Sequence, residues 1–402
     1  MVYKNYLKIS LALWIIFLLI INPISGISTK KSYVGIIDSE PYEYYNYAKM
    51  VDLLNDLEKN YSEIFSYYSI GKTYENRDVW LVKISDNVLD DEKEPGILLV
   101  GAHHGNEKPS YESLIFFINH ITSNYYKENT DDDNDGMLNE DIIDGKDNDN
   151  DGKIDEDPSE ERIRKIVDDN EIYIIPMVNP DGVEANTRKN RNPKEGQKQN
   201  IGVDLNRNYA FKWALYDIFP AKYSNLWTSD PESWNYRGEA PFSEVETTAI
   251  KNFVESEDIN ISLSYHSYGE FISFPWTHTS QITPDEELYL KVANGIIDIN
   301  DYYLYSGSGT VLPWPGGTIG TFENWMYGTQ KILSFLMELC KTRAPTNPSI
   351  VHDYCLTHVG VNLYVCEQAS SVHSQKQSIS YNKNFIFEKF DFLLDKLFSF
   401  SK

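Results

Sequence analysis

The sequence predicts an α/β domain in which a mixed β-sheet is flanked by helices. Residues 96–101 form a short continuous apolar run suited to a strand buried on both faces, and the segments at 171–178, 259–265 and 332–339 are three further candidates for buried strands. Segments with helical spacing lie between these candidate strands, and such alternation is typical of a sheet covered by helices. A chain of 402 residues with 41% hydrophobic residues can bury a large core.

The N-terminal segment, residues 1–28, has the features of a signal peptide. Lys4 and Lys8 precede an apolar stretch from Ile9 to Ile21, and small residues follow it. The alternative is an uncleaved membrane anchor. Both interpretations place the remaining residues, 29–402, outside the cytoplasm, so we expect a secreted or cell-surface protein.

The next elements follow from their residue patterns. Apolar residues in 44–65 recur at helical spacing and predict a helix. Residues 67–70 and 79–84 alternate and contain many aromatic and β-branched residues, which indicates a hairpin of strands. Residues 110–121 are expected to form the helix that follows the first buried strand.

Charge and cysteine content exclude two classes of protein. With 61 acidic residues against 36 Lys and Arg, the net charge of −25 is unsuited to binding the phosphate backbone of nucleic acids. The three cysteines, Cys340, Cys355 and Cys366, are too few for a disulfide scaffold. We expect one disulfide bridge and one remaining thiol.

Potential metal ligands follow two of the buried strands. His104 and Glu107 come after residues 96–101, three positions apart, and His266 follows residues 259–265. The carboxyl ends of parallel strands meet at one edge of a sheet, so these side chains can converge. Two histidines and a glutamate form a typical catalytic zinc site. Taken singly, each residue could equally be an ordinary buried polar group.

Further motifs make this pattern specific. They are NPDG at 179–182, TRKNR at 187–191, GVDLNRN at 202–208 and MEL at 337–339. With these motifs, residues 44–400 resemble the zinc carboxypeptidases of the carboxypeptidase A/B/T family, peptidase family M14. The resemblance implies the family's catalytic fold for residues 29–402, with the mixed sheet and flanking helices of that fold.

The resemblance also implies a zinc site. His104, Glu107 and His266 match the Zn²⁺ ligands of the family. Asp204 matches the carboxylate that orients the first ligand histidine, a contact that fixes the tautomer of the imidazole.

The other matched positions carry the expected catalytic and substrate-binding roles. Glu338 matches the general base that acts on a zinc-activated water, and Arg188 matches the arginine that stabilises the oxyanion. Asn206 and Arg207 match the pair that binds the free C-terminal carboxylate of the substrate. Glu323 matches the family position at the floor of the pocket that binds the C-terminal side chain of the substrate. In the family, an acidic residue at this position goes with a preference for substrates that end in Lys or Arg. Alternatively, it is an ordinary acid in the first turn of a helix.

Two positions depart from the family pattern. Asn106 lies between the first two zinc ligands, where the family commonly has arginine, so one substrate contact is expected to be missing. Gly316 falls where the family has its mobile substrate-capping tyrosine. Trp314 is a candidate to take the place of that tyrosine.

An acidic insert at residues 131–158 contains the pattern DxDxDG twice, sixteen residues apart. This pattern is the front half of an EF-hand loop, which binds Ca²⁺, although neither copy has the final glutamate. The alternative is a solvated acidic loop. The expected Ca²⁺ ligands are Asp131, Asp133, Asp135, Asp141, Asp147, Asp149, Asp151 and Asp157.

The sequence therefore predicts an exported zinc metallocarboxypeptidase that acts on peptides with a free C-terminus. We expect a monomer that contacts a membrane only if the N-terminal segment is retained. Two other functions stay open. One is an amidase or cell-wall peptidase on the same scaffold, and the other is an inactive Ca²⁺-dependent surface-binding module.

Overall fold

The computed structural model describes residues 41–127, 160–194, 201–214, 228–279, 281–305 and 318–399, with side chains as far as His373. The predicted signal segment, the acidic insert with its Ca²⁺ ligands, Trp314 and Gly316 lie outside the described residues. Within the described ranges, no helix is both long enough and apolar enough to cross a membrane.

Eight strands of the described chain form one sheet. They are β1 Phe65–Lys72, β2 Asp78–Ile84, β3 Gly96–Val100, β4 Glu171–Ile175, β5 Ile259–Ser267, β6 Phe271–Ser273, β7 Tyr303–Leu304 and β8 Leu333–Leu339. Their order across the sheet is β1-β2-β4-β3-β5-β8-β6-β7.

The centre of the sheet is parallel and its edges contain antiparallel pairs. Strands β4, β3, β5 and β8 run in the same direction, whereas β1, β2 and β4 pair antiparallel, as do β6 and β8. The predicted mixed sheet and β1–β2 hairpin are therefore confirmed. Every residue of β3, β4 and β5 is buried, as predicted for these segments, including the polar Asn260, Ser262 and Ser264 of β5.

Helices cover both faces of the sheet. They are α1 Tyr47–Tyr61, α2 Lys108–Asn124, α3 Glu160–Asp168, α4 Pro180–Ala185, α5 Val245–Ser256, α6 Glu286–Asn300, α7 Phe322–Trp325 and α8 Pro348–Ser399. Buried residues of α1, α2, α3, α6 and α8 belong to one apolar core, and those of α5 and α7 belong to a second. The two cores correspond to the alternate side chains of the central strands.

The two helices predicted early in the chain are confirmed with different ends. Helix α1 is shorter than predicted because Asn46 caps it, its side chain accepting a hydrogen bond from the Lys49 amide at 2.8 Å. Helix α2 is longer than predicted, with Pro109 in its first turn. The strand predicted at 171–178 ends at Ile175, and α4 begins five residues later.

The expected disulfide bridge was wrong. Cys340, Cys355 and Cys366 are free thiols buried in the core. Two of them lie eleven residues apart on α8, which is about 16 Å along a helix and too far for a bond. Burial raises the pKa of the Cys355 thiol to about 12, so this group packs as a small apolar side chain.

Candidate active site

The predicted metal ligands converge at the carboxyl ends of the parallel strands. Strand β3 leads to His104, and Glu107 is the residue immediately before α2. His266 lies in β5 and is the direct neighbour of Glu338 in β8. The parallel pairing of three strands therefore brings together residues that are up to 234 positions apart.

Three ligand atoms surround one point. Nδ1 of His104 lies 2.9 Å from Oε1 of Glu107, and Nδ1 of His266 lies 2.9 Å from Oε2 of the same carboxyl group. The two imidazole nitrogens are 3.1 Å apart. All three side chains are buried, and the group has the geometry of a metal site.

The hydrogen bonds around His104 fit a bound cation. Its Nε2 lies 2.9 Å from Oδ1 of Asp204, which can only accept, so Nε2 of the neutral ring carries the proton and Nδ1 presents a lone pair. That lone pair faces the acceptor oxygen of Glu107. A cation between the two acceptors satisfies both of them, and the His, His, Glu set is typical of catalytic zinc.

The ionisation of the other ligands agrees with this fit. Burial lowers the pKa of His266, which keeps its ring in the neutral form that binds metals. Burial also acts to raise the pKa of Glu107, but the influence of the adjacent His104 and His266 side chains outweighs it, so the pKa lies well below its usual value. Glu107 is therefore a carboxylate at neutral pH.

Asp204 connects the metal site to an arginine. Its Oδ1 contacts His104, and its Oδ2 accepts a hydrogen bond from Nε of Arg188 at 2.9 Å and lies 2.9 Å from Nη2 of the same side chain. Burial would raise the pKa of Asp204, but the positive charge of Arg188 and the contact with His104 lower it well below its usual range. This carboxylate orients both side chains at once.

Arg188 lies at the rim of the site. Its Nη1 donates to Oε1 of Glu107 at 3.2 Å, and its side chain keeps 19% of its surface exposed. A guanidinium group in this position can donate hydrogen bonds to a ligand beside the metal.

The tight turn Leu205–Arg207 presents two further polar residues. Asp204 caps this turn by accepting from the backbone amide of Asn206. The Asn206 side chain lies 3.2 Å from Nε2 of His266, and its oxygen accepts from the Phe322 amide at 2.8 Å. Arg207 is buried, and its Nη1 donates to the Asn206 carbonyl at 2.6 Å.

Two carboxyl groups complete the site, one on the buried Glu323 and one on the half-buried Glu338. Glu338 and Glu323 each have one oxygen, Oε2, without a hydrogen-bond partner in the described part of the chain. Burial, and then repulsion by Glu107, raise the pKa of Glu338 well above its usual value, and burial raises the pKa of Glu323. The charge of Arg207 opposes both shifts, which places these carboxyl groups and Arg207 in the same electrostatic environment.

Comparison with known proteins identifies the family. Residues 50–357 match the model of the zinc carboxypeptidase family, peptidase M14. The chain belongs to the zinc carboxypeptidase family. The chain is similar to the zinc carboxypeptidase of Saccharothrix mutabilis subsp. capreolus, with 26% identity covering 74% of this chain and 62% of the relative. It is also 27% identical to human mast cell carboxypeptidase A over 74% of this chain and 63% of that protein.

The fold is that of solved carboxypeptidases. A crystal structure of thrombin activatable fibrinolysis inhibitor matches with a TM-score of 0.63 and 21% identity, covering 81% of this chain and 74% of that one. Carboxypeptidase A from Helicoverpa armigera matches with a TM-score of 0.60 and 16% identity, and the match covers 82% of this chain and 74% of that one. The chain spans a little over three fifths of the length of the two curated relatives.

The structure brings together every described residue that the sequence singled out for the site. These are His104, Glu107, His266, Asp204, Arg188, Asn206, Arg207, Glu338 and Glu323. Sequence reasoning did not identify Trp234, whose ring covers Arg188 with 4.7 Å between the guanidinium carbon and the ring centroid. The only local signal was a tryptophan in a polar, proline-containing segment, which does not reveal its neighbour.

Proposed function

We propose that this member of the zinc carboxypeptidase family is an active, exported metallocarboxypeptidase. It would hydrolyse the last peptide bond of peptides with a free C-terminus. One observation carries the proposal. Glu338 of β8 is paired with His266 of the neighbouring strand β5, and the ligand atom of His266 converges with those of His104 and Glu107. Glu338 also lies close enough to Glu107, Arg188 and Arg207 for their charges to shift its pKa, so the proposed general base, metal ligands and arginines form one cluster.

The chain's own residues supply most of the chemistry. Zinc held by the His, His, Glu group would polarise a water molecule and the carbonyl of the scissile bond. Glu338 has an unpaired oxygen with which to take the proton from that water and pass it to the leaving amine. Arg188 donates hydrogen bonds to the carbonyl oxygen as it becomes negative, a contribution worth several kcal/mol in comparable sites, about 3 to 4.

The arginine in the pocket supports cleavage at a free C-terminus. Arg207 is buried beside Asn206, and a planar guanidinium binds a carboxylate with two parallel hydrogen bonds. A substrate whose C-terminus is an amide has no charge to offer this group. We therefore propose that the C-terminal carboxylate of the substrate binds here.

Glu323 supports a preference for basic C-terminal residues. It is fully buried, and one of its oxygens has no partner among the described residues. A lysine or arginine side chain would pair with this carboxyl group, whereas an apolar side chain would leave it unpaired, which costs about 1 to 3 kcal/mol.

Two parts of the proposal rest on sequence features outside the described residues. The charged, apolar and small-residue pattern of residues 1–28 supports export. The repeated DxDxDG pattern supports Ca²⁺ binding by the acidic insert at 131–158. N-terminal sequencing of the protein recovered from the medium or the cell surface tests the first of these.

The decisive experiment measures kcat/KM of the zinc-loaded protein on matched peptides ending in Arg, Leu and Glu, and on the same peptides with an amidated C-terminus. We expect cleavage of the free peptides, no cleavage of the amides, loss of activity with a chelator, and recovery when zinc is returned. Equal hydrolysis of amidated peptides would favour an amidase instead. A preference for Leu over Arg would contradict the role of Glu323.

A further inference from the structure

Trp234 is a large, solvent-exposed aromatic residue that lies next to Arg188 at the rim of the site. Its residue surface is 54% exposed, and its ring covers the guanidinium group of Arg188. A cation over the face of an indole ring is attracted by the negative charge of that face. We propose that Trp234 is a positioning residue, which fixes the guanidinium plane of Arg188 toward the scissile carbonyl. This inference rests on the proposed carboxypeptidase function.

Arg188 needs such a contact because its other anchors leave it free to turn. Its Nε donates to Oδ2 of Asp204, and its Nη2 lies 2.9 Å from the same oxygen. Two contacts that end on one atom act as a pivot, since the group can rotate about that atom without losing either contact. The third anchor is Oε1 of Glu107, which is also a predicted zinc ligand. The ring of Trp234 blocks rotation out of the plane.

The residue next to Arg188 holds Trp234 in place. Lys189 is buried, and its Nζ donates to the backbone carbonyls of Pro231 and Ser233 at 2.9 and 3.1 Å. Its Nζ also lies 5.7 Å from the centroid of the Tyr236 ring. One dipeptide therefore supplies both the catalytic guanidinium and the anchor for the loop that covers it.

The first test compares Trp234→Leu, which keeps apolar bulk but has no ring, with Trp234→Phe, which keeps a ring. Loss of a cation–π contact corresponds to about threefold to thirtyfold in rate. We expect kcat to fall by that factor in Trp234→Leu with little change in KM, because Arg188 acts most strongly on the developing oxyanion. Trp234→Phe should recover most of the loss. Tyr68→Leu, which removes a 41% exposed ring from β1, is the matched control and should leave kcat unchanged.

The second test is a binding measurement that does not need turnover. A peptide analogue with a phosphonate in place of the scissile amide mimics the charge that Arg188 contacts, whereas the free amino acid product does not. Trp234→Leu should weaken binding of the phosphonate by the same threefold to thirtyfold, about the value of one cation–π contact, and leave product binding unchanged. Lys189→Met, which releases the loop, should act in the same direction.

A double-mutant cycle separates positioning from a general structural effect. In an Arg188→Met background, Trp234→Leu should cause no further loss of kcat or of phosphonate affinity. Full additivity, or an unchanged kcat and phosphonate affinity in Trp234→Leu alone, would overturn the positioning role while leaving the carboxypeptidase function intact. If the parent protein cleaves no peptide, the proposed function is wrong. The positioning role is then tested by binding alone, and it is wrong if Trp234→Leu binds the phosphonate as tightly as the parent does.

Discussion

Replacement of Asp204 by asparagine would test how the metal site and the oxyanion group depend on one carboxylate. Oδ1 of Asp204 accepts from His104, and Oδ2 accepts from Nε of Arg188 and forms an ion pair with its guanidinium group. An asparagine side chain has one oxygen and one NH₂ group, so it can accept on only one of these sides. On the other side, two donors would face each other.

Either orientation of the amide has a cost that can be measured. If NH₂ faces His104, the imidazole must move its proton to Nδ1, the nitrogen that faces Glu107 and the metal position. If NH₂ faces Arg188, the guanidinium loses its anchor. A hydrogen bond to a charged group contributes about 1.5 to 3 kcal/mol, or roughly 10- to 150-fold in an equilibrium constant. Loss of a partner of a ligand histidine typically weakens metal binding by about 10- to 100-fold.

We therefore expect the zinc dissociation constant of Asp204→Asn, measured by chelator competition, to rise by about 10- to 100-fold. Asp181→Asn is a matched control, because Asp181 is equally buried and accepts from Arg77 at 2.7 Å and from Thr73 at 2.8 Å, away from the metal site. This control should bind zinc like the parent. Parental zinc affinity in Asp204→Asn, or an equal loss of affinity in Asp181→Asn, would contradict this role of Asp204.

Three other predictions concern catalysis, pH and calcium. Glu338→Gln should keep zinc and lose at least about a hundredfold in kcat, because an amide cannot accept the proton of the water; near-normal turnover would contradict this role. Burial raises the pKa of Glu246 from 4.5 to about 8. The unfolded chain therefore loses this proton at a lower pH than the folded protein does, so the free energy of unfolding falls as the pH rises from 4.5 through about 8. The free energy of unfolding of Glu246→Gln should therefore exceed that of the parent by up to about 3 to 5 kcal/mol at pH 8 and by little at pH 4.5. If the variant and the parent melt at the same temperature at both pH values, the effect is excluded. Millimolar Ca²⁺ should raise the melting temperature through residues 131–158, whereas a loop that is merely acidic would give the same value with a Ca²⁺-selective chelator.

The central sheet could be predicted from the sequence because its strands are buried on both faces. Strand β3 appears as a continuous apolar run, and β4 and β8 are rich in apolar residues, whereas β5 is buried although Asn260, Ser262 and Ser264 are polar. Strands β6 and β7 contain three and two residues, too few to show a period. Helix α8 begins at Pro348, and a proline is a common first residue of a helix. The length of this helix was not predictable, because it is stabilised by packing against α2 and α6.

The site was predictable to the extent that its residues follow those strands. His104, His266 and Glu338 could be placed at one edge because the direction of each strand determines where its carboxyl end lies. Trp234 could not be placed, because it contacts Arg188 across 46 positions and belongs to a loop with no period of its own. A contact that depends on how a loop returns to the sheet leaves no mark in the local sequence.

The charges of the site fit a divalent cation and the proposed basic substrate. The carboxyl groups belong to Glu107, Asp204, Glu323 and Glu338, and the guanidinium groups belong to Arg188 and Arg207. A bound Zn²⁺ would oppose the raised pKa values of Glu323 and Glu338, and with all four carboxyl groups ionised and the histidines neutral the excess of two negative charges equals the charge of that ion. A substrate with a C-terminal arginine then adds a carboxylate and a guanidinium, which preserves the balance, whereas a C-terminal leucine adds one uncompensated negative charge.

This balance predicts that the charge of Glu323, rather than the shape of the pocket, determines the proposed preference for arginine. Glu323→Gln keeps the size of the side chain and removes its charge, so it should lower the ratio of kcat/KM for Arg over Leu substrates. The change should be about tenfold or more if the buried pair contributes about 1.5 kcal/mol or more. Glu323→Ile should lower the ratio at least as far. If Glu323→Gln keeps the parental ratio and only Glu323→Ile changes it, the pocket selects by shape and the charge argument is wrong.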